Sequence, residues 1–419
     1  MTASLGTAPL PPVGLYVHIP FCVSICPYCD FVVVAGSESR GPRNRIDAFV
    51  GALLVELDLR ADALDAKFGR PGRRAAGRRP ALGSLYLGGG TPSLLGPDAL
   101  GTIVERVRRR YGLAPDAEVT LEANPGPDER GDPLAQRELG VTRVSFGAQS
   151  FNAAELSQLG RRHSPADIAD AVGAARAAGI GSINIDLLYD IPGQTLAIWM
   201  DSLERAIVLG PDHLSLYALT LDDPDAEGLT GPGGDHLPTT VGARRWRQRG
   251  RPLQDDDRAA GMYHFAWHRL AESRFRGYEL SNWARPGHEG RHNLAYWERR
   301  PVEAVGPGAH AFDGAVRRWS AARLDAYVDA LRPGPDRSPT LPPGAEEPAL
   351  SQDAATAESI ILGLRLDAGV PLIAFLEPPF DAALAWADES GLVEQTADGR
   401  VRLTTNGRLL SNEFFARLV

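Results

Sequence analysis

The sequence predicts an α/β protein built around a parallel sheet. Six short runs rich in β-branched and aromatic residues are separated by stretches whose apolar residues recur at helical spacing. Glycines, cysteines and isolated polar residues follow the ends of these runs, where the carboxyl edge of a parallel sheet gathers ligand sites. Units of this kind form either a barrel or an open doubly wound sheet.

The predicted strands and helices alternate through the first half of the chain. The strands are expected at residues 15–19, 84–87, 118–121, 143–146, 182–188 and 213–217. The clearest helical patterns cover residues 45–64, 97–111, 165–178 and 195–209. Because helical crossovers connect successive strands, the strands should run parallel.

All three cysteines lie in one loop directly after the first predicted strand. Cys22, Cys26 and Cys29 form a C-x3-C-x2-C pattern. An odd number of cysteines this close together suits thiolate ligation better than disulfide bonding. On a [4Fe-4S] cube, three cysteines leave one iron open for an external ligand. The alternative is structural zinc with His18 as fourth ligand, although zinc ligands usually come from two separated pairs.

The loops after the other strands carry a glycine turn and isolated polar residues. The triple glycine 88–90 follows the second strand, and its backbone N–H groups can approach a ligand closely. A tight turn alone explains these glycines equally well. Glu122, Gln149 and Asp186 lie at the ends of three further strands. A single acid at such a position can instead cap a helix.

The segment YVHIPFCVSICPYCDF at residues 16–31 resembles the radical SAM superfamily, in the branch that contains oxygen-independent coproporphyrinogen III dehydrogenases and heme chaperones. The resemblance implies a partial (βα)6 barrel whose cysteines hold a [4Fe-4S] cluster. The open iron of that cluster binds S-adenosylmethionine (SAM), and a separate electron donor reduces the cluster. The resemblance also assigns contacts with SAM to Tyr16, Tyr28, Gly89, Gly90, Thr91, Glu122, Gln149, Arg161 and Asp186.

Two features separate the chaperones of that branch from the dehydrogenases. The segment HNLAYW at residues 292–297 matches the HNxxYW motif of the chaperones. The dehydrogenases normally carry a further cysteine two residues after the third, where this chain has Phe31. We therefore expect a chaperone that binds heme and passes it to acceptor proteins. A coproporphyrinogen III dehydrogenase and a zinc-stabilised scaffold are the alternatives.

His292 is the candidate axial ligand for heme iron, because a neutral imidazole is a good ligand for that metal. A structural hydrogen-bonding role is the alternative for this residue. His18 and His163 compete with it, since both lie in segments that resemble the family.

The chain divides at a proline-rich segment. We expect a tail at residues 1–12, the main domain at 13–332, a linker at 333–350 and a C-terminal domain at 351–419. Helical patterns at 355–366 and 381–389, followed by a hairpin pattern at 392–396 and 401–405, predict a winged-helix-like α+β module. Residues 353–419 contain five arginines and ten acidic residues, which disfavours nucleic-acid binding by this module.

Composition narrows the function further. The net charge of −9 disfavours a general nucleic-acid binder, and neither an export signal nor a membrane-spanning run is evident, so we expect a cytoplasmic protein. Lys67 is the single lysine among 44 basic residues, and its context suits neither a P-loop nor a pyridoxal enzyme. The arginine-rich segments 67–80 and 231–251 should be solvated loops, which leaves room for peripheral membrane contact.

Overall fold

A twelve-stranded sheet forms the centre of the computed structural model, which describes residues 8–35, 44–72, 77–222, 225 and 228–419. A three-stranded sheet lies near the C-terminus. The first seven residues of the predicted tail lie outside the described part of the chain.

The elements of the first half follow the predicted alternation. The strands are β1 (Gly14–Ile19), β2 (Phe21–Cys22), β3 (Val34–Ala35), β4 (Leu82–Gly89), β5 (Leu113–Ala123), β6 (Arg143–Gln149), β7 (Ser182–Tyr189) and β8 (His213–Ala218). The helices are α1 (Asn44–Phe68), α2 (Pro97–Tyr111), α3 (Pro133–Glu138), α4 (Ala153–Gln158), α5 (Pro165–Ala177) and α6 (Leu196–Val208).

The second half adds shorter elements. Its strands are β9 (Arg276–Gly277), β10 (Asn282–Ala284), β11 (Val302–Val305), β12 (His310–Phe312), β13 (Arg317–Ser320), β14 (Gly344–Glu346), β15 (Val370–Pro371), β16 (Val393–Gln395) and β17 (Arg400–Leu403). Its helices are α7 (Val241–Gly250), α8 (Asp256–Glu272), α9 (Arg291–Trp297), α10 (Leu324–Leu331), α11 (Gln352–Leu364), α12 (Phe380–Glu389), α13 (Thr405–Leu409) and α14 (Ser411–Phe415). Short 3-10 helices cover Pro92–Leu94, Arg251–Leu253 and Leu372–Phe375.

The six predicted strands are adjacent in the large sheet. They follow the order β1-β4-β5-β6-β7-β8, and each of these pairs is parallel. A seventh parallel strand, β11, pairs with the free side of β1. Antiparallel strands extend both edges of this parallel region. Strands β10 and β9 lie beyond β8, and strands β12, β13 and β14 lie beyond β11. Within the described residues no strand pairing joins the two edges of this sheet, which agrees with the predicted partial barrel.

The main core lies between the sheet and the helices that cover it. Leu85 and Leu87 of β4, together with Ile183 and Ile185 of β7, are fully buried against helices such as α2 and α6. Burying apolar side chains on one face leaves the other face free for polar side chains. That second face carries the candidate site.

The C-terminal region has its own core and is attached to the main domain by charged and aromatic contacts. Helices α11 and α12 pack with the antiparallel strands β15, β16 and β17 around a separate set of buried apolar residues, as expected for the α+β module. The guanidinium of Arg365 lies 4.4 Å from the ring centre of Trp297, and that of Arg408 lies 4.4 Å from the ring centre of Trp267. These two contacts join the module to α9 and α8.

Two expectations about solvated loops were wrong. Residues 241–250 form a helix, and its Arg247 is buried because its guanidinium satisfies two backbone carbonyl groups. Arg79 is buried as well, because it donates to the carbonyls of Arg110 and Tyr111 and pairs with Asp65. Within the predicted linker, Gly344–Glu346 pairs with β13, and its exposed residues gave no burial pattern to predict a strand. Residues 73–76 of the first arginine-rich segment lie outside the described part.

Candidate functional site

A cavity of about 610 Å³ lies against the polar face of the parallel strands. It extends from the cysteine loop at the carboxyl ends of the strands to helix α9 near their amino ends. All three cysteines line the cavity, and so does His292. The cavity is also lined by every residue to which the family resemblance assigned contact with SAM: Tyr16, Tyr28, Gly89, Gly90, Thr91, Glu122, Gln149, Arg161 and Asp186. The loops named in the sequence thus come together at one place.

The cysteine loop follows β1 and is partly buried. Cys22, Cys26 and Cys29 are all free thiols. Burial raises the pKa of Cys22 to about 11 and that of Cys29 to about 12. These thiols therefore stay protonated unless a positive centre stabilises their thiolates, which is what an iron-sulfur cluster provides. Among the described residues, no three His, Cys, Asp or Glu side chains are arranged to hold a single metal ion.

The glycine turn packs directly against this loop. A Cβ atom added to Gly90 would lie 3.0 Å from the Cys22 sulfur and 2.7 Å from the carbonyl oxygen of Phe21. Gly89 has φ +114°, and a Cβ there would meet the ring of His18. Both positions need glycine, for close approach at Gly90 and for backbone conformation at Gly89. The next residue, Thr91, places its hydroxyl 3.5 Å from the Cys22 sulfur.

Glu122 ends the polar face of β5 and bonds the glycine turn. Its carboxylate accepts hydrogen bonds from the Tyr86 hydroxyl at 2.7 Å and from the Gly89 N–H at 2.9 Å. Burial nevertheless raises the pKa of Glu122 to about 7. This carboxyl is an acceptor whose charge is poorly solvated, so it favours a cationic or hydroxyl-bearing ligand.

Gln149 ends β6, and Arg161 lies in the loop after α4. The φ of Gln149 is +66°, beside an irregularity in the pairing of β6 with β7, which turns its side chain toward the cavity. Arg161 donates to Asn124 and to the carbonyl of Gly147, and its Nη1 lies 3.7 Å from the Cys26 sulfur. The loop thus places a fixed cation beside a cysteine.

Asp186 lies on β7, where it pairs with Gly147 of β6. Its carboxylate accepts from the hydroxyl of Ser145 at 3.0 Å and from the side-chain amide of Asn184 at 2.6 Å. Burial raises its pKa, although these hydrogen bonds oppose the shift.

Helix α9 closes the other end of the cavity. Its amides at Arg291 and His292 donate to the Glu118 carboxylate, which also pairs with Arg143 at 3.1 Å. The ring of His292 is buried, with Nδ1 at 2.9 Å from the Ser84 hydroxyl and Nε2 at 3.0 Å from the Tyr296 hydroxyl. Since both ring nitrogens have partners, the geometry favours the hydrogen-bonding role for His292.

The competing histidines are buried outside the cavity lining. His18 donates from Nε2 to the carbonyl of Val32 at 2.7 Å, so its Nδ1 accepts from the Tyr16 hydroxyl at 3.0 Å. His163 bonds the carbonyl of Ala148 at 3.0 Å. Burial lowers the pKa of both rings to about 4, so both are neutral near pH 7.

Several lining residues were not singled out from the sequence. The polar face of the strands also presents Thr120, Ser145, Asn184, His213, Ser215 and Tyr217. A signal for them exists, because polar residues occupy every second position in 118–122, 143–145, 182–186 and 213–217. Alternation of that kind marks one face of a strand as polar. Tyr278 and Asn293 join them from beyond the parallel strands.

Known proteins share both the fold and these segments. Residues 16–206 match the radical SAM superfamily, and residues 350–410 match the HemN C-terminal domain. A Mycobacterium tuberculosis (strain H37Rv) protein named heme chaperone HemW is 37% identical to the chain over 409 residues, covering 97% of this chain and 95% of that protein. The chain belongs to the HemW family of radical SAM proteins.

A second relative of the same name is similar over less of the chain. The Escherichia coli (strain K12) heme chaperone HemW is 36% identical over 320 residues, covering 75% of each protein. The E. coli coproporphyrinogen III oxidase HemN has the same fold, with a TM-score of 0.76 and 23% identity, covering 99% of this chain and 92% of that one. No helix of the described residues is both long and apolar enough to span a membrane.

Proposed function

We propose that this HemW-family protein is a heme chaperone that binds heme, passes it to acceptor proteins and carries a SAM-binding [4Fe-4S] cluster on Cys22, Cys26 and Cys29. The proposal rests on one observation: three free cysteines line the same cavity as polar groups from the ends of the parallel strands. The likeness to proteins named heme chaperone HemW, over nearly the whole chain, supports the chaperone activity.

The residues fit a cluster with one open iron. The Thr91 hydroxyl and the Arg161 guanidinium lie close to the sulfurs of Cys22 and Cys26, and hydrogen bonds to cysteine sulfur tune iron-sulfur centres. Bound there, a [4Fe-4S] cluster would supply one-electron reduction of SAM. SAM would be held by the backbone of Gly89 and Gly90 and by the side chains of Glu122 and Asp186.

The fit is poorer for structural zinc. A zinc ion needs all its ligand atoms about 2.0–2.3 Å from one point. The nitrogens of His18, the proposed fourth ligand, are directed to Tyr16 and Val32. The absence of a single-ion arrangement among the described residues agrees with this, whereas the cysteines of a cube each bind a different iron.

Heme is best placed at the cysteine-loop end of the cavity, opposite α9. A volume of about 610 Å³ suits one cofactor-sized ligand, so SAM and heme together need additional space at the rim. Phe31 and Tyr217 line this cavity and are 64% and 42% exposed, which leaves aromatic surface free to pack on a porphyrin plane. Phe31 stands where the dehydrogenases carry a further cysteine, so the chaperone is favoured over the dehydrogenase.

Anaerobic reconstitution with iron and sulfide tests the cluster. The wild-type protein should take up a full cluster, and a variant with Cys22→Ala, Cys26→Ala and Cys29→Ala should take up neither element. Retention of iron and sulfide by that variant would refute the assignment, and a colourless protein that holds zinc would support the scaffold.

The reconstituted protein should then be offered heme and coproporphyrinogen III side by side. Heme binding, followed by transfer to an apo-acceptor, is the expected result. Consumption of coproporphyrinogen III without heme binding would move the assignment to the dehydrogenase.

A further inference from the structure

Helix α7 is a strongly basic element attached to the cysteine loop. Residues 241–251 contain five arginines and no acidic residue, in a chain whose net charge is −9. The buried Arg247 donates to the carbonyl of Tyr28 at 2.6 Å and to that of Asp222 at 3.0 Å. Trp246 packs in the same apolar cluster as Tyr28. Because Tyr28 directly precedes Cys29, the helix is held against the candidate cluster site.

The two faces of α7 differ in charge and exposure. Ala243 and Arg247, four residues apart, are buried on the face that meets the protein. Arg245 and Arg249, also four residues apart, are exposed on the opposite face. Arg244 on the same helix pairs with Asp225. In the part of the chain that the structure describes, neither Arg245 nor Arg249 has an acidic partner.

We propose that this solvent face, Arg245 and Arg249, is the docking surface for an acidic electron-carrier protein that reduces the cluster. The inference rests on the proposed cluster. One electron leaves a low-potential flavin or iron-sulfur centre of the carrier, and the [4Fe-4S] cluster accepts that electron, so no further reactant is required.

Charge and position both select this class of partner. A local cluster of cations on a chain whose net charge is −9 attracts a protein whose redox centre is surrounded by carboxylates. Electron transfer needs the donor close to the acceptor, and α7 contacts the loop of the cysteines themselves. The exposed apolar side chain of Ile25 on that loop adds surface suited to a transient redox contact.

Stopped-flow reduction by flavodoxin in its fully reduced form tests the proposal. The second-order rate constant for cluster reduction should fall about tenfold or more in Arg245→Glu/Arg249→Glu at low salt. The difference from wild type should nearly vanish at 1 M salt, where the Debye length is about 3 Å. Arg245→Gln/Arg249→Gln, which removes charge without reversing it, should show a smaller decrease.

The matched control is Arg109→Glu/Arg137→Glu, which changes the net charge equally. These exposed arginines lie in the last turns of α2 and α3, at the opposite end of the parallel strands from the cysteine loop. The control should be reduced at close to the wild-type rate. Circular dichroism and cluster content should be the same in all variants, because the changed side chains are exposed.

Dithionite separates failure of docking from failure of the cluster assignment. Equal reduction of every variant by dithionite, with slower reduction of Arg245→Glu/Arg249→Glu by flavodoxin, supports the inference. Equal rates with flavodoxin overturn it and leave the cluster in place. If dithionite reduces no cluster in the wild type, the proposed function fails and this inference fails with it. Loss of binding to phosphatidylserine vesicles with unchanged flavodoxin rates would assign the surface to lipid and overturn the inference.

Discussion

Replacing Glu122 by glutamine should remove a pH-dependent destabilisation from the folded protein. The Glu122 carboxylate accepts hydrogen bonds from Tyr86 and Gly89, and both lower its pKa. Burial has the larger effect and raises the pKa from 4.5 to about 7. The folded protein therefore holds this proton more tightly than the unfolded chain does.

The sign and size of the effect follow from that difference. Because the folded pKa is raised, the stabilisation by Glu122 is fully present below pH 4.5 and is lost as the pH rises through about 7. The full shift corresponds to roughly 3 kcal/mol, at about 1.4 kcal/mol per pKa unit. Between pH 5 and pH 8 the free energy of unfolding of the wild type should fall by about 2 kcal/mol relative to Glu122→Gln.

Urea unfolding of the cofactor-free protein, followed by tryptophan fluorescence at several pH values, measures this difference. Tyr86→Phe is the matched control, because it removes a hydrogen bond that lowers the pKa of Glu122. Its loss of stability with rising pH should exceed that of the wild type. A difference between wild type and Glu122→Gln that changes by less than about 0.5 kcal/mol from pH 5 to pH 8 would refute the argument, since unrelated surface substitutions have effects of that size.

Arg247→Met should loosen α7 and the cysteine loop, because it removes two buried hydrogen bonds of about 1.5–3 kcal/mol each, one of them to Tyr28. Amide hydrogen exchange should become faster in both segments. Unchanged exchange rates would contradict the prediction. Trp297→Ala should lower stability by about 2 kcal/mol through loss of its contact with Arg365, with earlier proteolysis between the two domains as the readout. His292→Ala removes the buried hydrogen bonds to Ser84 and Tyr296, so it should destabilise the protein by about 2 kcal/mol and leave the Soret band of bound heme unchanged. A shifted Soret band with unchanged stability would instead make His292 the axial ligand.

The parallel strands could be predicted because their burial is regular. The predicted strands at 84–87 and 182–188 lie within β4 and β7, where apolar side chains face covering helices. The positions of Glu122 and Asp186 followed from the same rule, since residues at the carboxyl ends of parallel strands share one edge of the sheet. Topology alone brings these two side chains to one cavity.

The basic helix was not predictable by the same reasoning. Segment 231–251 is rich in glycine, proline and arginine, and such composition is usually solvated. What orders it is tertiary: Arg247 satisfies the carbonyls of Tyr28 and Asp222, which are 194 residues apart (222 minus 28). A hydrogen bond between distant loops leaves no periodic pattern in either of them.

A chain of hydrogen bonds connects the two ends of the cavity and makes the polar face a single unit. Asn184 donates from its side-chain amide to Asp186, and its carbonyl oxygen lies 2.7 Å from Nδ1 of His213. Because an amide oxygen can only accept, Nδ1 of His213 is the donor, and its Nε2 then accepts from the Tyr278 hydroxyl at 2.9 Å. Burial lowers the pKa of His213 well below 6.5, which keeps the ring neutral and fixes this direction. The Tyr278 hydroxyl in turn accepts from Asn293 on α9. Asp186 lines the same cavity as the glycine turn and the cysteines. The orientation of its carboxylate is therefore set in part by the helix that carries the HNxxYW motif.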